Sequence, residues 1–262
     1  MSEFRLYFRY VGMEMRGQMQ YKGWWVQILT VLFTLMVDPI EVLLLFDRFG
    51  SVGEWTVSRV MLMYGMAVFC FGLSESLVGR GFDYFPNIIR SGEFDRILLR
   101  PRSLFVQTAG ARFHLHRFSR VSGGAVIIWL ALRAQEMAVA PANVCMLLFG
   151  LIGGFLTYTG VFMLTAAPAF FTVEGVQFTY IFTNGSYQVA KVPPMYLPDW
   201  LRRTFLYIVP MFAFCYQPAG AACGWGVSRL AGWMALPAGA LFCAVAYGVW
   251  LACARHYSST GS

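Results

Sequence analysis

The sequence predicts an all-α integral membrane protein of about six transmembrane helices, and three observations carry that prediction. Hydrophobic residues make up 58% of the 262-residue chain and charged residues only 13%, against roughly a quarter charged in a soluble domain. The apolar residues fall in runs long enough to cross a hydrocarbon layer of about 30 Å. Aromatic residues reach 17%, and there are 26 glycines, as in helices that pack closely and anchor at lipid interfaces. With no long repeat, low-complexity segment or linker, residues 1–262 read as a single transmembrane domain.

Taken in order, Phe4, Phe8, Val11, Met15 and Met19 recur at spacings of three and four. Residues 1–22 therefore predict an amphipathic helix on the membrane surface, with a partner-contact face as the competing reading. This segment mixes Arg5, Arg9, Arg16 and Lys22 with Glu3 and Glu14 and has no A-x-A-like site, unlike a cleaved signal peptide. Residues 24–46 give the first span, opened by Trp24 and Trp25 and interrupted by Asp38, Pro39 and Glu41. A polar loop at 47–59 leads to the second span at 60–78.

Between 79 and 120 stand Arg80, Arg90, Arg96, Arg100, Arg102, Arg112, Arg117 and Arg120. The positive-inside rule makes this region cytoplasmic, with 80–112 as its centre. The third span is 113–132, with Arg117 and Arg120 snorkelling at its inner end. The fourth is 142–167 and the fifth 169–189. Residues 204–216 are apolar but too few to cross. Pro210 and Pro218 break them up, so 200–226 predicts a re-entrant or interfacial helix pair before the last span at 231–254. With both termini inside, cytoplasmic segments hold thirteen Lys and Arg residues against seven on the other side, which favours that orientation.

The net charge of +7 is spread between apolar runs, not gathered on the face of a soluble fold, which argues against nucleic-acid binding. Lys22 and Lys191 are the only lysines, and neither precedes Ser or Thr, so the chain lacks the glycine-rich loop that cradles a nucleotide triphosphate. The six cysteines show no C-x-x-C spacing and read as free, buried thiols. His114, His116 and His256 lack an H-E-x-x-H pattern or a cysteine partner, and read as interfacial. Glu75 and Glu174 read as packing partners for nearby arginines. Asp38, about 20 Å into the first span at helical rise, and Glu41 beside it are candidate translocation-path residues, since ionisable groups at that depth are functional by default. A helix cap at the outer interface is the competing role for Asp38. Gly150-x-x-x-Gly154, Gly220-x-x-x-Gly224 and Ala240-x-x-x-Ala244-x-x-x-Gly248 permit close helix approach.

Residues 88–101 read as a short helix with a marked start and stop. Ser91 and Gly92 open it, Glu93 and Asp95 suit the positive end of its dipole, Arg100 the negative end, and Pro101 prevents continuation. Phe94, Ile97 and Leu98 are expected to share one apolar face. Flanked by Arg90, Arg96 and Arg100, that face suits either a groove on a soluble partner or the headgroup layer.

Gly81-Phe82-Asp83 followed by Ile89-Arg90-Ser91-Gly92-Glu93-Phe94-Asp95-Arg96-Ile97-Leu98-Leu99-Arg100-Pro101 resembles the signature of a group of bacterial ABC type-2 permeases. Pro198-Asp199-Trp200-Leu201-Arg202, then Ile208-Val209-Pro210-Met211-Phe212-Ala213-Phe214 with Gln217-Pro218-Ala219, is similar to that group's segment before the last helix, and the tail from His256 to Gly261 is similar in style. The resemblance implies half of an exporter in the bacterial cytoplasmic membrane. It has six helices, an N-terminal connecting helix, a coupling helix between spans two and three, and re-entrant helices before span six. ATP and Mg would be bound by a separate ATPase subunit, present as a dimer, and a second type-2 permease, the same or a related chain, would complete the path within membrane lipid. The coupling residues implied are Arg90, Glu93, Phe94, Asp95, Arg96, Ile97, Leu98 and Arg100; none would be catalytic. Asp38 and Glu41 in the first span depart from the group's pattern. A membrane-embedded enzyme using Asp38, Glu41, Asp83 or His114 and His116, or a stand-alone channel, is the alternative, but no nucleophile is paired with a base.

Overall fold

The computed structural model describes residues 3–20, 23–49, 55–135, 140–172 and 179–257, without the side chains of residues 4, 24, 34, 35, 38, 45, 49, 179–182 and 184. Among the described residues the chain is helical throughout, with no strand. Helix α1 (Glu3–Met19) leads to α2 (Trp24–Phe49), and α3 (Val57–Ser74) runs through a π-helical turn (Glu75–Gly79) into α4 (Arg80–Arg90). Two short helices follow, α5 (Glu93–Leu98) and α6 (Leu104–Ala109); a 3-10 turn (Leu115–Arg117) then opens α7 (Phe118–Ala134). Helix α8 (Pro141–Ala166) tightens into a 3-10 turn (Ala167–Phe170). Beyond it come α9 (Thr179–Val189), α10 (Asp199–Arg203), a π turn (Thr204–Ile208), α11 (Met211–Phe214), α12 (Tyr216–Cys223), α13 (Arg229–Trp233) and α14 (Ala235–Arg255).

The stretches Val57–Arg90, Pro141–Phe170 and Ala235–Arg255 are each long and apolar enough to cross a membrane, and Asp199–Ile208 with Met211–Cys223 forms a pair bent by 65°. Helix α2, at 26 residues, is about 39 Å long at the helical rise. This is the architecture of an all-α integral membrane protein. Helix α3 is its centre, with α7 on one flank and α8 on another, while α14 lies along α8. From Val60 to Val68 every residue of α3 is buried, which is why its sequence is apolar on all sides rather than along one stripe.

Glycines set the closest approaches. A Cβ on Gly124 of α7 would meet the backbone of Phe69, and one on Gly72 of α3 would meet Arg120. Between α8 and α14, Gly153 faces the Ala235 carbonyl and Gly239 faces Gly153 itself. The expected small-residue stripe Ala240-x-x-x-Ala244-x-x-x-Gly248 is not the contact: Ala240 and Ala244 are exposed and Gly248 has open space around it. Gly239, one residue before that stripe, carries the approach.

Several boundaries differ from the sequence-based expectation. The second span does not stop near Val78. Its helix continues to Arg90, because charged residues are good helix formers and Phe82, Phe85, Ile88 and Ile89 keep a buried face at helical spacing. Helix α2 passes through Pro39 without a break and extends to Phe49, over the start of the expected loop; membrane helices tolerate an internal proline where neighbours satisfy the freed groups. Ala169 and Phe170 finish the fourth helix instead of starting a fifth, and the described part of that fifth helix covers only Thr179–Val189. Pro210 marks the bend, as expected. Pro218 does not interrupt anything: it occupies the first turn of α12, where no intrahelical N–H bond is lost.

Helix α1 also turns differently. Val11 is buried, whereas Phe8 and Met19 are exposed, so the expected apolar stripe is split between chain and surroundings. Polar side chains hold the helix down. The Tyr7 hydroxyl donates to the Leu77 carbonyl, and burial pushes it up to about 12. The Gln18 amide donates to the Phe113 carbonyl and accepts from the Leu115 N–H at 3.0 Å, and Glu3 pairs with Arg102 at 3.4 Å.

Candidate functional site

At the arginine-rich end of the molecule, α4, α5 and α6 form a small helical platform. The turn between α4 and α5 closes on Gly92, whose φ of 70° is left-handed, a conformation that glycine adopts at no steric cost. Glu93 and Asp95 stand in the first turn of α5 and Arg96 in its last, an order matched to the helix dipole. The helix ends after six residues, with the Leu99 and Arg100 N–H groups bonded to Asp95 and Ile97.

Phe94 corrects the expectation of one shared apolar face. It is 0% exposed, with ring centroids 5.4 Å from Phe85, 5.4 Å from Phe170 and 4.9 Å from Tyr257. Phe85 and Phe170 in turn meet Trp250, at 5.8 and 5.9 Å. The ring of Phe94 is therefore a key seated among the ends of α4, α8 and α14. The reason is local: a six-residue helix has too few backbone bonds to stand alone, and burying one large aromatic ring fixes it. Ile97 is half-buried beside it. What remains outward is Leu98, 46% exposed, and Leu99, 85% exposed, ringed by exposed Arg90, Glu93, Arg96 and Arg100, with Asp95 half-buried. Leu99 stands outside the expected apolar face of Phe94, Ile97 and Leu98, and its distance of five residues from Phe94 puts it on the opposite side of the helix.

Beneath this platform lies a buried charge cluster. The Glu75 carboxylate, at the start of the π turn, receives Arg120 at 2.8 Å and Arg117 at 3.2 Å. The Arg120 guanidinium also lies 5.0 Å over the Phe71 ring and 5.7 Å over that of Tyr187. Glu75 is thus an arginine partner, as its sequence position suggested. Arg117 and Arg120, by contrast, do not snorkel: they point into the protein because Glu75 and the aromatic faces offer more than the headgroup layer. Nearby, Arg80 pairs with Asp83 at 3.1 Å and donates through Nε to His114 Nδ1, also at 3.1 Å. The His114 and His116 rings are 5.4 Å apart. Burial, then the adjacent arginines, lower both imidazoles to about 4, so both are neutral at physiological pH.

The sequence resemblance pointed to an ABC type-2 permease, and the comparison with known families agrees. Residues 32–261 match the family described as ABC-2 family transporter protein. The chain belongs to the ABC-2 transporter family. Members are the transport membrane subunits of ABC transporters, which work with an ABC ATPase. No curated protein and no solved structure matches the chain.

In this ABC-2 permease the two candidate path residues lie in α2, far along the chain from the platform. The side chain of Asp38 is outside the described residues, as is Glu174. Glu41 pairs with Lys191 at 2.8 Å; the Glu41 side chain is 69% exposed and that of Lys191 only 11%. The Lys191 ammonium lies 5.3 Å over the Tyr64 ring of α3. This links α2 to the segment after α9 and to the central helix, an arrangement the sequence did not signal because 150 residues separate the partners.

Proposed function

We propose that this chain is the permease half of an ATP-driven exporter in a bacterial cytoplasmic membrane, with both termini cytoplasmic. A separate ATPase dimer binds ATP and Mg and docks on the outward surface of α5. A second type-2 permease, identical or related, completes the translocation path, and the bent pair at 199–223 is a re-entrant segment on the opposite side. The observation that carries this reading is the division of α5 into two faces. Phe94 is locked into the ends of three long helices, while Leu98 and Leu99 stand outward among Arg90, Glu93, Arg96 and Arg100. A push on such a helix is delivered to the helix ends rather than absorbed by a loop, and no catalytic residue is required of the permease. Exposed apolar residues ringed by charge are also the composition of a docking patch. Asp38 and Glu41 are the candidate path residues, with Lys191 as the counter-charge of Glu41.

The test is detergent pull-down of a tagged chain from its native membrane, with mass spectrometry of what accompanies it. Recovery of an ATPase, with or without a second permease, is expected. Replacing Leu99 by Asp should reduce ATPase recovery at least tenfold, about 1.4 kcal/mol or more, without changing the amount of inserted chain. A chain recovered alone, under conditions that keep other such complexes intact, overturns the reading.

A further inference from the structure

Between α1 and the platform lies a cavity of about 340 Å³ whose wall carries both signs of charge. Arg96, Arg100 and Arg112 supply guanidinium donors, and Glu14 and Glu93 supply carboxylates. Arg112 and Glu14 form a long ion pair at 3.9 Å, beyond hydrogen-bond range, so both keep hydrogen-bonding capacity. Arg96 makes no ion pair or hydrogen bond among the described residues. Arg112 is held by its position 4.3 Å over the Tyr84 ring, and Arg100 reaches the Tyr10 hydroxyl at 3.4 Å.

The wall also contains Gln107, only 4% exposed. Its Nε2 donates to the carbonyls of Ile97 at 3.4 Å and Arg102 at 3.3 Å, which fixes the amide. Its Oε1 is buried with no hydrogen-bond partner, and an unsatisfied buried acceptor costs about 1–3 kcal/mol. The wall therefore offers donors for an anion and, beside them, acceptors for an N–H or O–H group. A simple anion would leave Gln107 Oε1 and the carboxylates unanswered; a simple cation would leave the arginines so.

We propose that this cavity binds a zwitterionic phosphoethanolamine group, the phosphate facing Arg96, Arg100 and Arg112 and the ammonium facing Gln107 Oε1, Glu14 and Glu93. The source is a membrane lipid. Tyr10 lines both this cavity and a second groove along α1 that carries exposed Phe8 and Met13 with Arg9 and Arg16, so a lipid whose chains lie against α1 can place its headgroup inside. The role is to pin α1 to the platform, and the inference stands whether or not the exporter reading does.

The test uses the purified, delipidated full-length chain and its thermal unfolding midpoint by tryptophan fluorescence, with equal mole fractions of dioleoyl phosphatidylethanolamine, phosphatidylcholine or phosphatidylglycerol. Choline has no N–H to give, and glycerol lacks the positive charge. Phosphatidylethanolamine should raise the midpoint by about 3 °C or more above the other two at roughly tenfold excess over its Kd. Arg96→Gln, at an exposed site that does not endanger folding, should remove at least half of that difference, and Gln107→Leu most of it. Equal midpoints for the three lipids, or a difference unchanged in Arg96→Gln, overturn the proposal. Glycerophosphoethanolamine in solution should compete with the lipid; if it shifts the midpoint where phosphatidylethanolamine does not, the lipid source is wrong.

Discussion

At the scale of single residues, Glu75 carries the largest electrostatic responsibility. Two guanidiniums converge on it in a site closed by Phe71 and Tyr187. Removing the carboxylate charge leaves two like charges facing each other out of water, and breaking a buried pair in this way costs about 3–5 kcal/mol. Arg117 is partly solvated, so the lower end applies. Glu75→Gln should therefore lower the unfolding midpoint by several degrees, and Glu75→Gln combined with Arg120→Leu should recover part of the loss, both read by thermal unfolding in detergent. The two imidazoles make a pH prediction. Each is lowered in the fold from its ordinary 6.5 to about 4, so the unfolded chain binds protons that the folded chain refuses. Stability from this source is complete above pH 6.5 and is lost as pH falls towards 4. His114→Gln with His116→Gln should flatten the acid limb of midpoint against pH over that window; an unchanged slope would contradict it.

At the scale of elements, the contact between α8 and α14 depends on Gly153 and Gly239 having no side chain. Any Cβ at Gly239 meets the backbone of Gly153, which cannot swing aside as a flexible side chain would. Gly239→Val should cost at least the 1–3 kcal/mol typical of overpacking and lower the yield of folded protein by size exclusion. Gly248→Ala, where space is open, should be neutral and serves as the control. The same reasoning explains why small-residue spacing was a poor guide. Motifs of that kind are common in membrane helices, and only the rotation of each helix about its axis determines which small residue meets a neighbour.

At the scale of the whole molecule, the aromatic cluster of Phe85, Phe94, Phe170, Trp250 and Tyr257 ties the platform to the last helix. Tyr257 lies beyond α14 yet makes the shortest of these ring contacts with Phe94. Tyr257→Ala should therefore raise amide hydrogen exchange in residues 93–99 several-fold while leaving the buried part of α3 unchanged, and Tyr257→Phe should restore protection. Exchange that stays the same in α5 would mean that Phe94 is held by Phe85 and Phe170 without the C-terminal segment. Phe94 and Tyr257 are 163 residues apart in sequence but share one cluster, which joins the platform to the segment that follows α14.

Composition and run length by themselves determined the all-helical membrane class, since a chain with so few charges and such long apolar runs has no other way to satisfy its backbone in lipid. Local chemistry determined the boundaries of α5: Gly92 for its left-handed turn, acidic residues first and basic residues last. The bend at Pro210 and the pairing of Glu75 with arginine were also legible, the first from a missing N–H, the second from a lone carboxylate near arginines. Only the tertiary structure decided which way the side chains face. It turned Phe94 inward, where three helix ends supply a pocket that no heptad of sequence contains, and left Leu99 outside. It drew Arg117 and Arg120 inward, set Gly239 rather than its neighbours at the crossing, paired Glu41 with Lys191, and brought Glu14, Gln107 and Arg112 around one cavity. Periodicity fixes which residues share a helix face, but the direction of that face is a property of packing between segments distant in the chain, and it is there that charge, burial and function are assigned.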